Sequence, residues 1–136
     1  MSFPELIRSE KEILERLLLV SQRQLELVAE GNVTVLLEHL GQRQRLWGEF
    51  ELLERQLEPH KNIPPEKRTW ECTEERQRTV AALNRCKELM EQILANDQKS
   101  LAQTAAQKDD VEAQLRRVQQ GGNAARGYMR QSQLSR

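Results

Sequence analysis

The 136-residue sequence has few aromatic residues, few glycines and prolines, and no long apolar run. Aromatic residues make up 4% of the chain, and Glu, Gln, Leu and Arg dominate it. Because straight-chain residues lose little rotamer freedom in a helix, this composition favours long amphipathic helices over a thick α/β core. No stretch approaches the roughly 20 apolar residues of a membrane span, and the N-terminus has no basic region followed by an apolar run. We therefore expect a cytoplasmic protein without membrane insertion.

Cysteine and histidine are also scarce, which bears on enzymatic and metal chemistry. Cys72 and Cys86 lie 14 residues apart in one helical pattern, about 21 Å along the axis, so a disulfide within that helix is excluded. His39 and His60 are isolated, whereas a metal site needs ligands at short spacings and a nucleophile needs a neighbouring base. We expect no metal, no cofactor and no catalytic residues, and hence a protein that is not an enzyme.

The net charge is zero, but its distribution is uneven. Glu112 is the last carboxylate side chain, and residues 113–136 carry +5, so the rest carries −5 (16 basic against 21 acidic residues). An arginine-bearing C-terminus on an acidic body favours an acidic protein partner, with solubility and helix-end placement as an equal alternative. No aromatic residues interleave with the basic ones, so nucleic acid is not the expected partner.

Helical periodicity divides the chain into segments. Residues 4–30 and 33–58 each carry an apolar stripe, and Gly31-Asn32 separates them as a helix stop and a cap. Prolines 59, 64 and 65 mark a loop at residues 58–66. Residues 67–120 form either one helix of about 54 residues or, with a break at Asn96-Asp97, two of about 25. We predict an all-α antiparallel bundle of three to four long helices, with a long two-helix hairpin as the alternative.

Two apolar faces compete on the third segment. A heptad seam contains Val80, Leu83, Met90, Leu94, Leu101, Val111, Leu115 and Val118, with polar intrusions at Lys87, Asp97, Thr104 and Lys108. Cys86, Leu89 and Ile93 form a second face. The extra face indicates either a wide core stripe or a groove for an amphipathic helix of a partner. The candidate contacts in the second case are Leu83, Leu89, Met90, Ile93, Leu94 and Leu101.

Beyond Gln120 the pattern changes. Gly121-Gly122 predict a helix end, and the residues that follow are polar without a sustained stripe. We therefore divide the chain into a helical bundle domain, residues 1–120, and a flexible basic tail, residues 121–136.

Together these features resemble the flagellar export chaperones of the FlgN family. The similar positions are Leu25, Glu30, Gly31-Asn32, Leu36-Leu37, Leu40 and Arg45-Leu46 around the first turn, Ile93, Asn96, Leu101, Leu115 and Val118 in the third segment, and Gly121-Gly122 and Tyr128 in the tail. The resemblance implies a cytoplasmic chaperone of flagellar type III export. Such a protein holds the C-terminal helical segments of hook–filament junction proteins until they are exported. It further implies that Tyr128, with Arg126 and Arg130, docks on the export gate.

Two other functions are compatible with the pattern. A coiled-coil adaptor would self-associate as a homodimer, because the seam of the third segment closes equally well on a second copy. An RNA-binding tail would show steeply salt-dependent binding.

Overall fold

A computed structural model shows three α-helices and a single 3₁₀ turn, with no strand among residues 1–134. The helices are α1 (Phe3–Glu30), α2 (Val33–Lys61) and α3 (Thr73–Leu134), and the 3₁₀ turn is Pro65–Lys67. The structure describes the backbone of residues 1–134 and the side chains of residues 1–117. The predicted all-α bundle is confirmed, in its three-helix form.

Local sequence signals account for both ends of α1. Ser2 caps the helix in a capping box, in which its hydroxyl accepts from the Glu5 backbone and the Glu5 carboxylate accepts from the Ser2 backbone. At the other end Gly31 adopts a left-handed conformation with φ 70°. The N–H groups of Gly31 and Asn32 then donate to the carbonyls of Val28 and Leu27, which is the Schellman arrangement. The predicted stop at Gly31 is confirmed.

The ends of α2 follow the prediction less closely. Asn32 caps the helix by accepting from the Val35 backbone, as predicted. The helix then continues through Pro59 to Lys61, so the prediction that Pro59 ends it is wrong. In the last turn a proline removes only one backbone hydrogen bond, and the helix has no further turns to lose. Pro64 and Pro65 lie in the loop, as predicted.

Pairs of contacts establish the direction of each helix. Ile7 meets Cys86 and Ser21 meets Asn96, so α1 and α3 are parallel. His39 lies against the Val20 carbonyl, whereas His60 lies against Phe3. The helix α2 therefore runs antiparallel to α1, and the three helices alternate in direction as an up-down-up bundle.

The core forms two clusters of buried side chains. The larger joins all three helices and contains Ile13, Leu14, Leu17, Val20, Leu46, Cys86, Leu89 and Ile93. The smaller lies at the end of the bundle that holds the N-terminus and contains Phe3, Leu6, Ile7, Leu57 and Ala82. The loop after α2 closes over this second cluster, because Trp70 packs edge-on against Phe3 and the Arg68 guanidinium lies 4.3 Å from the Phe3 ring.

The face that α3 turns to the core is not the predicted seam. The buried positions are Thr79, Ala82, Cys86, Leu89, Ile93 and Ser100, which follow a heptad spacing one residue out of step with the seam. Four of the six side chains, those of Thr79, Ala82, Cys86 and Ser100, are small. The seam residues Val80 and Leu94 are 45% and 52% exposed. Cys86, Leu89 and Ile93 thus belong to the core, as the wide-core alternative required, but Val80 and Leu94 of the seam do not join them there.

A polar layer crosses the bundle where the sequence suggested a break in the third segment. The Asn96 amide donates to the Ser21 hydroxyl at 3.0 Å. Arg43 donates two parallel hydrogen bonds to Asp97, at 2.7 and 2.5 Å, and a third to Gln24. The helix α3 is continuous here, so Asn96 and Asp97 tie it to α1 and α2 instead of ending it.

The chain divides into two compact units, Met1–Ser100 and Leu101–Arg136. In the second unit Leu101, Val111 and Leu115 are exposed. The helix continues past Gly121-Gly122, where we predicted its end. The division into a bundle of residues 1–120 and a flexible tail of residues 121–136 stays a prediction.

Candidate functional site

The outer side of α3 in the first unit faces an open groove. We call the residues Val80, Leu83, Lys87, Met90 and Leu94 the outer stripe, since they follow one heptad seam on the side of α3 next to the core face. Leu83, Lys87 and Met90 line the groove, which has a volume of about 520 Å³. Val80 and Leu94 extend the stripe at either end as exposed apolar side chains.

All three helices contribute to this groove, which we call the α1–α2–α3 groove. Its lining comprises Ile7, Glu10 and Leu14 of α1; Phe50, Glu54, Leu57 and Lys61 of α2; and Leu83, Cys86, Lys87, Met90 and Glu91 of α3. The buried members, Ile7, Leu14, Leu57 and Cys86, form an apolar floor. The exposed members, Lys61, Lys87 and Glu91, form a charged rim. An apolar floor with a charged rim is typical of a surface that receives an amphipathic helix.

Two other depressions in the first unit are of similar size but differ in chemistry. One, of about 520 Å³, is lined largely by charged side chains, among them Arg8, Lys11 and Arg78. The other, of about 570 Å³, surrounds the N-terminal cap and the loop that holds Trp70. Since polar and apolar surface are mixed in similar parts in both, whereas the α1–α2–α3 groove is mainly apolar, that groove is the better candidate for binding an apolar partner surface.

Two carboxylates lie inside the groove among apolar neighbours. Glu54 lies close enough to Glu10 to disfavour its ionised form, and Lys61 forms an ion pair with Glu54 from the rim. The pKa of Glu10 is raised from 4.5 to about 7, mainly by burial and in addition by the neighbouring Glu54 carboxyl, while the charge of Lys61 opposes the shift. The groove therefore holds a carboxyl group that binds its proton unusually tightly.

The Cys86 thiol is buried beneath the groove and is not a reactive group. Its Sγ lies 4.0 Å from the Ile7 carbonyl oxygen, and burial raises the pKa of Cys86 to about 11. A thiol that stays protonated at neutral pH is a poor nucleophile and a poor metal ligand. Within the side chains of residues 1–117, no group of three or more His, Cys, Asp or Glu could hold a metal ion.

The six predicted partner contacts fall into three groups. Leu83 and Met90 are half-buried and line the groove. Leu89 and Ile93 have no exposed surface, so in this conformation they cannot contact a partner, and their assignment as contacts is corrected. Leu94 and Leu101 are 52% and 72% exposed, but neither lines the groove. Tyr128, Arg126 and Arg130 lie outside the described side chains.

Glu10 and Glu54 were missed, although the sequence contains a signal for both. Glu10 stands between Ile7 and Leu14 at spacings of three and four, and Glu54 stands likewise between Phe50 and Leu57. Each carboxylate therefore occupies a stripe position, where an apolar residue is the norm. When two helices each carry a charged residue within the apolar stripe, the pattern predicts that the two charged side chains lie near each other where the stripes pack together.

Comparison with known proteins does not assign the chain to a family. No family model matches it, and neither the curated proteins nor the solved structures contain a significant match. Among the described residues, none of the helices has the length and apolar character needed to cross a bilayer.

Proposed function

We propose that this protein is a cytoplasmic export chaperone that binds an amphipathic helical segment of another protein along the outer stripe of α3. One observation carries the proposal: beside its core face α3 has a second stripe of large apolar side chains, of which Val80 and Leu94 are exposed while Leu83 and Met90 line the groove. Leaving large apolar side chains exposed risks aggregation, and a partner helix laid along the stripe would remove them from water.

The resemblance to the FlgN family supports a specific partner. The partner in this proposal is the C-terminal helical segment of a hook–filament junction protein, which is itself amphipathic and needs cover before export. Tyr128, Arg126 and Arg130 then dock the loaded chaperone on the flagellar export gate. The protein itself performs no chemistry in this scheme, because binding and release of a helix are sufficient.

A pair of matched variants tests the binding surface. Leu94 in the outer stripe is 52% exposed and Leu52 on α2 is 57% exposed, and neither belongs to the buried core. We expect L94E to weaken binding of a junction-protein C-terminal peptide at least tenfold, because burying an unpaired carboxylate is costly. We expect L52E to change it less than twofold. Fluorescence anisotropy with a labelled peptide measures both, and circular dichroism checks that each variant is folded.

The proposal fails if the peptide does not bind the full chain, or if L94E and L52E weaken binding equally. A Y128A variant separates the two roles, since it should retain peptide binding and lose export of the junction protein in cells.

Self-association is the second candidate function. The observation that favours it is the exposure of Leu101, Val111 and Leu115 in the second unit, since a second copy would cover them. Sedimentation velocity between about 5 and 200 µM distinguishes the candidates, because an adaptor dimerises with concentration whereas a chaperone without its partner stays monomeric.

A further inference from the structure

We infer that the α1–α2–α3 groove selects a partner helix carrying a lysine or arginine within its apolar face, placed against Glu10 and Glu54. This inference rests on the proposed function and adds to it the chemistry by which the groove recognises one helix among many. A partner helix with a wholly apolar face would bury the Glu10 and Glu54 carboxylates without supplying a positive charge to pair with them.

The first observation is the state of Glu10. Its Oε2 atom has almost no contact with solvent, and among the described residues it has no hydrogen-bond partner. A buried acceptor without a partner is costly, and the cost rises when the group is ionised. The groove thus contains a polar group that the protein's described side chains leave incompletely satisfied.

The second observation is the charge balance of the groove. Glu10, Glu54 and Glu91 carry three negative charges against two positive charges from Lys61 and Lys87 when all five are ionised, a net charge of −1. Lys61 is an exposed rim residue already paired with Glu54. Lys61 also acts on Glu10 through its charge, and the second cation of the groove, Lys87, is exposed on α3, so the two lysines do not balance the three carboxylates.

The third observation is the surroundings of the carboxylate pair. Apolar side chains of all three helices line the groove around the pair, inside its charged rim, and Met90 forms part of its wall. A partner helix seated there would exclude water, which strengthens the attraction between its cation and the two carboxylates. It would also raise the penalty for a neutral or acidic side chain at that point, and discrimination follows from this penalty.

Three synthetic peptides test the inference. Each is a 21-residue amphipathic helix with leucines at positions i, i+4, i+7 and i+11 and one central apolar-face position that is lysine, glutamine or glutamate. With the full chain at pH 8, we expect the lysine peptide to bind about five- to tenfold more tightly than the glutamine peptide, and the glutamate peptide to bind most weakly. Fluorescence anisotropy gives the three affinities.

A matched pair of double variants assigns the preference to the groove. E10Q/E54Q should reduce the difference between the lysine and glutamine peptides to less than twofold. E12Q/E51Q removes the same charge from the same two helices at exposed positions outside the groove, and it should leave the difference intact.

The possible failures are distinguishable. If all three peptides bind the wild type equally, the cation preference is overturned but the helix-binding groove is not. The same conclusion follows if E12Q/E51Q removes the preference for the lysine peptide as fully as E10Q/E54Q does. Failure of every peptide, and of a junction-protein segment, to bind overturns the groove together with the preference. A dimer in sedimentation that L94E dissociates identifies a second copy as the occupant and overturns both.

Discussion

Replacing Glu10 by glutamine separates the proton-binding behaviour of the groove from every other titration in the protein. The substitution keeps the shape of the side chain and removes its charge. The carboxyl has an ordinary pKa of 4.5 and a pKa of about 7 in the folded protein, because burial and the neighbouring Glu54 disfavour the ionised form. The folded state therefore binds this proton more tightly than the unfolded state does between pH 4.5 and 7.

The sign of the effect follows directly. A raised carboxyl pKa contributes stability that is fully present below pH 4.5 and is lost as the pH rises through 7. One pKa unit corresponds to about 1.4 kcal/mol, but Glu10 is only half-buried, so solvent screening reduces the effect. We expect the free energy of unfolding of the wild type, relative to E10Q, to fall by about 1–2 kcal/mol between pH 4.5 and pH 8.

Urea unfolding followed by circular dichroism at 222 nm measures this difference at a series of pH values. The E12Q variant is the control, because Glu12 is exposed and lies outside the groove, and its difference from the wild type should be nearly independent of pH. A stability difference between the wild type and E10Q that stays flat from pH 4.5 to 8, or that rises with pH, would refute the assignment of the proton to this groove.

Two further predictions concern stability alone. The Arg43–Asp97 pair is largely buried, with side-chain exposures of 15% and 24%. R43M should therefore lower the free energy of unfolding by about 2 kcal/mol, because it leaves Asp97 unpaired, and adding D97L should recover part of that loss in urea unfolding. A loss below about 0.5 kcal/mol for R43M would contradict this. Gly31 has φ 70°, and a Cβ added there would meet no other atom. In thermal unfolding, G31A should therefore destabilise the fold by about 1 kcal/mol through backbone strain alone, whereas G41A, in open space within α2, should stabilise it by about 0.5–1 kcal/mol. Equal effects of the two substitutions would show that the left-handed turn at Gly31 is not the cause.

The continuous α3 shows where reasoning from local pattern fails. Asn96-Asp97 interrupts an apolar seam, and an isolated stretch with that pattern ends or bends readily. In the folded protein Ser21 accepts a hydrogen bond from Asn96, and Arg43 donates to Asp97 and also to Gln24. With those partners the polar residues no longer oppose a continuous helix. The information needed to predict this lies more than fifty residues away in the chain.

The groove was predictable in part. Leu83 and Met90 were correctly placed on a face distinct from Cys86, Leu89 and Ile93, but which of the two faces entered the core was decided wrongly. Large apolar residues favoured the seam, whereas the face that the structure buries against the other helices includes the smaller side chains of Ala82 and Cys86. Hydrophobic periodicity measures how apolar a face is and carries no information about how near the neighbouring helix lies.

Features that depend on a few neighbouring residues followed from the amino-acid order alone. These are the helical class, the helix stop at Gly31, the cap at Asn32 and the loop at Pro64 and Pro65, because backbone sterics and adjacent hydrogen bonds decide each of them. Features that depend on how helices meet required the tertiary structure. The core face of α3, the Arg43–Asp97 pair and the contact of Glu10 with Glu54 all join residues distant in the chain, and their energies arise only when packing brings those residues together and removes water from between them.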